Sequence, residues 1–479
     1  MEIALGIAGS IIGIMLLLIL VRAFRFAPLA EADEEGSAME IEIDAAVTRF
    51  QEMIRCRTIS SGEDSLIDEA EFTKFRSILR NRYPLVHQSL SREEIGPRGL
   101  LYRWPGASPE NPTVLMSHYD VVPADEALWE KDPFGAVIES GEIWGRGTLD
   151  NKATLLGIME AAEYLLARGF QPANDIYLSF GGDEEIGGPS ADAIVQELER
   201  RGVRPALVLD EGGAILSNVF PGVSEEAALV GIAEKGYMDV DIEITGQGGH
   251  ASSPPASTLA GKLAKIIVRL EANPFQSRFT KPVREMIDTL GRHSSFGLRI
   301  VFANLWIFSP LLKAVFGKMG GQMNAMVRTT CAVTKLEGSQ SYNVMPPRVS
   351  AGLNLRPLSG DSCESVARSV GKTISSPEAK VNVLKAWEAS AVSRTDSPGW
   401  ETLSKAIRKS WEDVIVSPYL MMARTDSQYF CRISEDVYRF SAMRLTKDQL
   451  ALIHGNNERI PVESLLKTVE FYGALMKMC

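Results

Sequence analysis

His118 directly follows the apolar run TVLMS at 113–117, with Asp120 two residues further on. Glu184 and Glu185 come after IYLSF at 176–180 and a Gly-Gly pair, and Asp210 directly after ALVL at 206–209. Asp150 closes the glycine-punctuated loop GEIWGRGTLD, just before a helical pattern. Imidazole and carboxylate ligate divalent cations and move protons near neutral pH. In an open parallel sheet such groups gather where strands end at their carboxyl edge, so these separate segments converge on one rim. Unpaired carboxylates crowded there repel one another, and a divalent cation resolves the repulsion. Mixed imidazole and carboxylate donors suit zinc, for which cobalt or manganese can substitute. Taken singly, each residue has a duller reading, as a hydrogen-bonded strand-end histidine or a solvated acid that caps a helix. What favours a metal site is the coincidence of several such positions, each beside glycines that allow close backbone approach.

Positioning these groups requires strands and helices in alternation, which the sequence supplies from about residue 41 onward. The runs at 113–117, 176–180 and 206–209 read as buried strands, and 152–166 and 190–200 as helices, the latter opening on a Ser cap. This is the pattern of an α/β domain with a mostly parallel sheet and helices on both faces. From 231 to 390 the texture changes to an alternating strand (238–245), a helix (258–270) and strand-like runs near Ala332 and Val349, as in a smaller inserted α+β domain. Strong helical patterns return at 400–411 and 461–477. The expected division is therefore an anchor and linker over 1–38, a catalytic domain formed from two segments, 39–230 and 391–479, and between them an inserted lid or dimerisation domain over 231–390. A total of 479 residues agrees with more than one core.

Sixty-one acidic against 50 basic residues give a net charge of -11, which disfavours a nucleic-acid partner. Cys56, Cys331, Cys363, Cys431 and Cys479 show no paired spacing, so neither a disulfide framework nor a thiolate zinc knuckle is indicated. Residues 3–21 (IALGIAGSIIGIMLLLILV) carry no charge and would rise about 28 Å as a helix, enough to cross a bilayer core once. A single membrane anchor is the favoured reading over a signal peptide, which the small-x-small site at Ala30, Glu31 and Ala32 would otherwise suit. Arg22 and Arg25 after the apolar run lean the body of the protein toward the cytosol. Residues 296–319 form a second apolar stretch, interrupted by Arg299, Asn304, Pro310 and Lys313. It reads as a core or dimer-packing helix pair, with a greasy surface for an acyl chain or the bilayer as the sharper alternative.

The ordered segments SHYDVVP, GRGTLDNK, GGDEEIGG, LDEGG, GQGGHASSP, YNVMPP and HGNNERIP resemble the signatures of the dinuclear-zinc aminoacylase and carboxypeptidase family. The resemblance runs from about residue 41 to the end and is nearest the carboxypeptidase S and N-acyl amino acid hydrolase branch. It implies two zinc ions per chain, one held by His118, Asp150 and Asp210, the other by Asp150, Glu185 and His454. Either Asp210 or Glu211 of LDEGG could be the ligand, and Asp210 is preferred because it directly ends the strand. The same resemblance makes Asp120 the partner that orients His118, and Glu184 the general base acting on a di-zinc-bridged water. His250 becomes a donor to the carbonyl oxygen, supplied from the opposite subunit of a homodimer.

Asn324, Asn343 and Arg356 fall in segments that resemble cleft-lining stretches of the family. Where relatives often carry Gly before Thr-Asp-Ser-Arg, this chain has Arg424 before Thr425, Asp426, Ser427 and Gln428. Arg424 is therefore a further candidate to grip a substrate carboxylate, which an arginine fork does with two parallel hydrogen bonds. The implied activity is hydrolysis of an amide bond beside a free carboxylate, as a carboxypeptidase on short peptides or an aminoacylase on N-acyl amino acids. The rival reading is a binding module that keeps the fold without turnover; the competent side chains at every proposed ligand and base position weigh against it.

Overall fold

A computed structural model of the chain describes residues 2–29 and 39–479. The acidic linker and the small-x-small site at 30–32 lie outside the described residues. The main sheet has eight strands: β1 (Ser91–Ile95), β2 (Gly99–Trp104), β3 (Ser108–His118), β4 (Asn174–Gly181), β5 (Leu207–Ser217), β6 (Glu226–Glu234), β7 (Ile415–Met421) and β8 (Val437–Arg444). Their spatial order is β1-β2-β4-β3-β5-β8-β6-β7. Pairing is parallel from β4 through β3 and β5 to β8 and between β6 and β7. It is antiparallel for β1 with β2, β2 with β4, and β8 with β6. The sheet is thus mixed, with four of its seven neighbouring pairs parallel, and the parallel centre is the region that carries the site.

Strand alternation explains why the central runs are apolar without a break. Val114 and Met116 of β3 pack into one cluster with Ile194 and Leu198 of helix Ser190–Arg200. Leu115, between them, packs into the opposite cluster with Leu155 and Met159 of helix Lys152–Ala167. Both faces are buried, so both residue parities must be apolar. Helix Lys152–Ala167 is buried along most of its length and packs against Val462–Met476. A Cβ on Gly157 would stand 2.6 Å from Thr468 Cγ2, so the close crossing of these helices requires glycine. One local expectation is corrected: Pro189 occupies the cap position of Ser190–Arg200, and the Ser190 hydroxyl instead donates to Asp183 Oδ2 at 2.7 Å.

A second, antiparallel sheet contains Thr330–Glu337, Arg348–Arg356, Tyr237–Thr245 and Ala379–Trp387 in that order. Helices Leu259–Ala272 and Cys363–Ile374 share its separate core. Helices Lys281–His293, Phe296–Phe302 and Leu305–Met319, although they lie between these strands in sequence, contribute Val283, Ile287, Leu290, Phe302 and Phe316 to the main core. Lys281–His293 lies along β7. The amino-terminal apolar segment is a helix, Glu2–Arg25, largely exposed and long enough to cross a bilayer.

Candidate metal centre

β3 ends at His118, whose ring is buried and points its two nitrogens at different partners. Nδ1 lies 3.1 Å from the Asp120 carbonyl oxygen and 3.3 Å from Asp120 Oδ1. A proton on Nδ1 satisfies these acceptors and leaves the Nε2 lone pair free to ligate. Asp120 also accepts the backbone N–H groups of Glu184 and Glu185, at 3.2 and 3.1 Å. One buried carboxylate therefore fixes the histidine and the acidic turn together. That turn is tight: Gly187 has φ +62°, and a Cβ on Gly188 would approach Asp183 Cγ to 2.3 Å. Glycine is required at both positions.

Asp150 sits at the middle of the cluster. Its Oδ1 is 2.9 Å from His118 Nε2 and its Oδ2 is 3.0 Å from His454 Nε2. His454 Nε2 is also 3.0 Å from Glu185 Oε2, and His118 Nε2 is 3.4 Å from Glu211 Oε1. Atoms bound tetrahedrally at zinc's usual ligand distances stand about 3.3 Å from one another. The four histidine–carboxylate distances are of that order, and donor atoms of His118, Asp150 and Glu185 all lie within 4.8 Å of one another. Glu184 completes a further group with His118 and Glu211.

The electrostatics require positive charge. Burial, together with repulsion from Glu211, Asp426 and Glu185, pushes the Glu184 carboxyl well above the carboxylate range. Burial and Asp150 do the same to Glu211. Against its own burial, Asp150 is held low by His118 and His454, while Asp150 and Glu185 push His454 up to about 10. Glu185 Oε1 is buried without a hydrogen-bond partner. Acids that crowd in this way, with an orphaned oxygen among them, fit divalent cations.

The two acids of LDEGG, Asp210 and Glu211, have different partners. β5 does not end at Leu209 but continues to Ser217, with its register against β8 broken between Asp210, opposite Arg439, and Gly213, opposite Phe440. Asp210 accepts the N–H of Ser427 and of Glu211, each at 2.9 Å, while Glu211 faces His118.

The sequence reading also missed Glu458 and Arg146. Glu458, fully buried, accepts from Leu149 N (2.7 Å), Asp150 N (3.2 Å) and Gly147 N (3.1 Å) and pairs with Arg146 Nη1 at 2.8 Å. Arg146 in turn donates to the Gly455 carbonyl at 2.9 Å. This pair locks the Asp150 loop to the His454 loop; its place inside HGNNERIP, four residues after His454, is the signal that could have revealed it. Glu458→Ala leaves Arg146 buried without its carboxylate, at an expected cost of about 3–5 kcal/mol in urea unfolding. Metal retention should weaken about 10–100-fold. Wild-type values in both measurements would dismiss the pair as a positioning device.

Among the proposed substrate contacts, Arg424 lies nearest the acidic turn, with Nη1 3.2 Å from where a Gly187 Cβ would stand. Its guanidinium lies 4.7 Å from the Trp387 ring centroid and 5.1 Å from that of Tyr429. Nε donates to Gln428 Oε1 at 2.7 Å, and Nη2 is buried without a partner. Arg356 instead lies over Tyr237 on its own sheet and donates to Asn354. Asn324 lines a cavity of about 600 Å³ built from second-sheet elements and neighbouring loops. His250 is exposed, on a short ribbon where it pairs with Val344 beside Asn343, its Nδ1 3.3 Å from Ser252 Oγ.

Residues 114–478, a span that contains every member of this cluster, match the model of peptidase family M20/M25/M40. The chain belongs to that family. It is 34% identical over 487 residues to a "Probable carboxypeptidase S-like 2" of Dictyostelium discoideum, covering 98% of this chain and 93% of the relative. It is 36% identical over 444 residues to the "N-fatty-acyl-amino acid synthase/hydrolase PM20D1" of Xenopus tropicalis, covering 91% and 86%. The fold is that of the M20 metallo-carboxypeptidase Sso-CP2 of Sulfolobus solfataricus, with TM-score 0.67, 18% identity, and 90% and 98% of the two chains covered. Human carnosine dipeptidase 1 also shares it, with TM-score 0.63, 15% identity and coverage of 91% and 96%. The protein is accordingly a metal-dependent hydrolase of the M20 class.

Proposed function

We propose that the enzyme uses two zinc ions to hydrolyse an amide bond beside a free carboxylate. The observation that carries this reading is Asp150, whose two oxygens each face a different imidazole at 2.9 and 3.0 Å. His118, Asp150 and Glu211 would hold one ion, and Asp150, Glu185 and His454 the other. When bound, the ions supply Lewis acidity, polarising a carbonyl oxygen and acidifying water. Glu184 takes the proton of the attacking water and returns it to the amine nitrogen. As the new C–O bond forms and the C–N bond breaks, the leaving group thus departs neutral. Asp120 keeps His118 in the ligating tautomer and holds the Glu184 backbone in place.

Arg424 is the carboxylate anchor this geometry favours, because its partly unpaired fork lies beside the acidic turn. His250 and Asn343, on one exposed ribbon, suit donation into the site of a second copy in a homodimer. Residues 231–390, apart from the helices over 281–319 that pack in the main core, serve as the lid and dimerisation unit between the catalytic segments 39–230 and 391–479. Helix Glu2–Arg25 anchors the chain in a membrane in a single pass, the two arginines at its end favouring a cytosolic body. The relatives' printed names cover both carboxypeptidase and N-fatty-acyl-amino acid chemistry. A panel of N-acyl amino acids and dipeptides tests the reading, assayed on enzyme stripped by chelator and then reloaded with zinc. Turnover should vanish on stripping and return on reloading, and substrates whose carboxylate is amidated should react poorly. Arg424→Ala should raise KM for free carboxylates and narrow that preference. Full activity in the stripped enzyme would end the proposal.

A further inference from the structure

Helix Leu305–Met319 has its polarity reversed. In a helix on the surface of a water-soluble domain the exposed stripe is polar. Here the large side chains Trp306, Leu311, Val315 and Met319 are exposed by 53%, 59%, 42% and 60%, with Lys318 exposed among them. Leu311, Val315 and Met319 recur every four residues as one stripe, with Trp306 exposed at the start of the helix; Leu312 and Phe316 are buried, and the Phe316 ring packs 6.1 Å from Phe279. The helix carries Lys313 and Lys318 and no acid. It cannot itself be a span. One side is committed to the protein core, it turns through 100° from its partner Phe296–Phe302, and its 15 residues rise only about 22 Å.

What lies beside this face identifies its occupant. The last turns of the amino-terminal helix are fastened to the bend of the pair. Asn304 Nδ2 donates to the Ile19 carbonyl and Arg22 Nε to the Ala303 carbonyl, each at 3.1 Å. The Phe24 and Phe296 rings lie 4.7 Å apart. Ile19 and Ala23 are buried there, whereas the apolar turns before them, from Ile11 to Leu18, are exposed. The apolar stripe is thus tied to the point where the anchor meets the protein. A groove of about 850 Å³ at the same place is lined by Arg22, Arg25, Arg284, Arg292, Trp306 and Trp400 among others, with Glu285 and Asp288 as its acids. Apolar side chains edged by arginine, lysine and tryptophan are the chemistry of a bilayer interface.

We propose that helix Leu305–Met319 is a membrane-docking element that lies in the interface of the anionic leaflet through which the anchor passes. The proposal rests on the reading of Glu2–Arg25 as a membrane anchor. The stripe enters to the depth of the acyl chains while the arginine groove faces lipid phosphates, so the catalytic body is held at the bilayer at two points instead of swinging on a tether.

The test uses the full chain reconstituted in vesicles of phosphatidylcholine and phosphatidylserine in equal amounts, with or without brominated acyl chains that quench tryptophan. Bromination should quench the wild type, and Trp306→Phe should lose most of that quenching. The double variant Leu311→Glu, Val315→Glu should lower it too, while hydrolysis of a short soluble substrate stays at the wild-type rate. Quenching that is the same in wild type and Trp306→Phe overturns the proposal. So does protection of Trp306 by cross-linking between copies of the chain without any bromolipid effect. Alkaline carbonate separates the two readings. Extraction of a chain whose Trp306 is quenched removes the anchor and keeps the docking helix, whereas a retained chain with unquenched Trp306 keeps the anchor and removes the docking helix.

Discussion

Glu184→Gln is expected to lower kcat by about 10²–10⁴-fold, the usual contribution of a positioned general base. Zinc content, measured on the purified protein, should remain that of the wild type. The two outcomes are linked by geometry. Glu184 belongs to the group with His118 and Glu211, but the paired donors that share Asp150 are complete without it. Glutamine keeps the volume and the backbone N–H that Asp120 accepts at 3.2 Å, so the turn should hold its shape. What is lost is the ability to take up a proton. Burial comes first among the causes that raise this carboxyl, followed by its acidic neighbours opposed by His118. A raised pKa suits a group that must both accept a proton and return it. Because the base works deprotonated, the limb of the rate profile that reports its protonation should disappear in the variant. A Glu184→Gln enzyme with wild-type kcat would remove this residue from the reaction. One that lost its zinc would instead make Glu184 a ligand.

The central strands were legible because burial on both faces demands unbroken apolar runs, and TVLMS and IYLSF have no other comfortable place. The acids and histidine at their ends followed from strand topology. Other features depended on contacts across great sequence distance. His454 meets Glu185 from the far end of the chain, and no local pattern announces it. Glu458 is one acid among many until the Asp150 loop closes on it. The mixed sheet was hidden for a similar reason: β8 runs parallel to β5 but antiparallel to β6, a choice made by connections rather than by residue pattern. Phe296–Phe302 and Leu305–Met319 show a third kind of difficulty. Their apolar content was plain, but which side met the core and which stayed exposed required the position of Lys281–His293 against β7.

Exchanging the two acids of LDEGG should separate a metal ligand from the residue that supports it. Glu211→Ala removes the oxygen that faces His118 at 3.4 Å, so one zinc per chain should be lost and turnover abolished. Asp210→Asn should retain both ions, because Asp210 spends its oxygens on the N–H groups of Ser427 and Glu211 rather than on the cluster. Its cost should be about 10–100-fold in metal affinity or activity, as for other groups that hold a ligand in place. The physical origin of the difference is the partner each side chain meets. Asp210 is held by the N–H of Ser427, whose segment is itself tied through Thr425 to the buried Glu234–Arg439 pair, while Glu211 meets His118. Metal analysis by mass spectrometry reads the result directly. If Asp210→Asn loses an ion and Glu211→Ala keeps both, Asp210 is the ligand and the assignment of Glu211 fails.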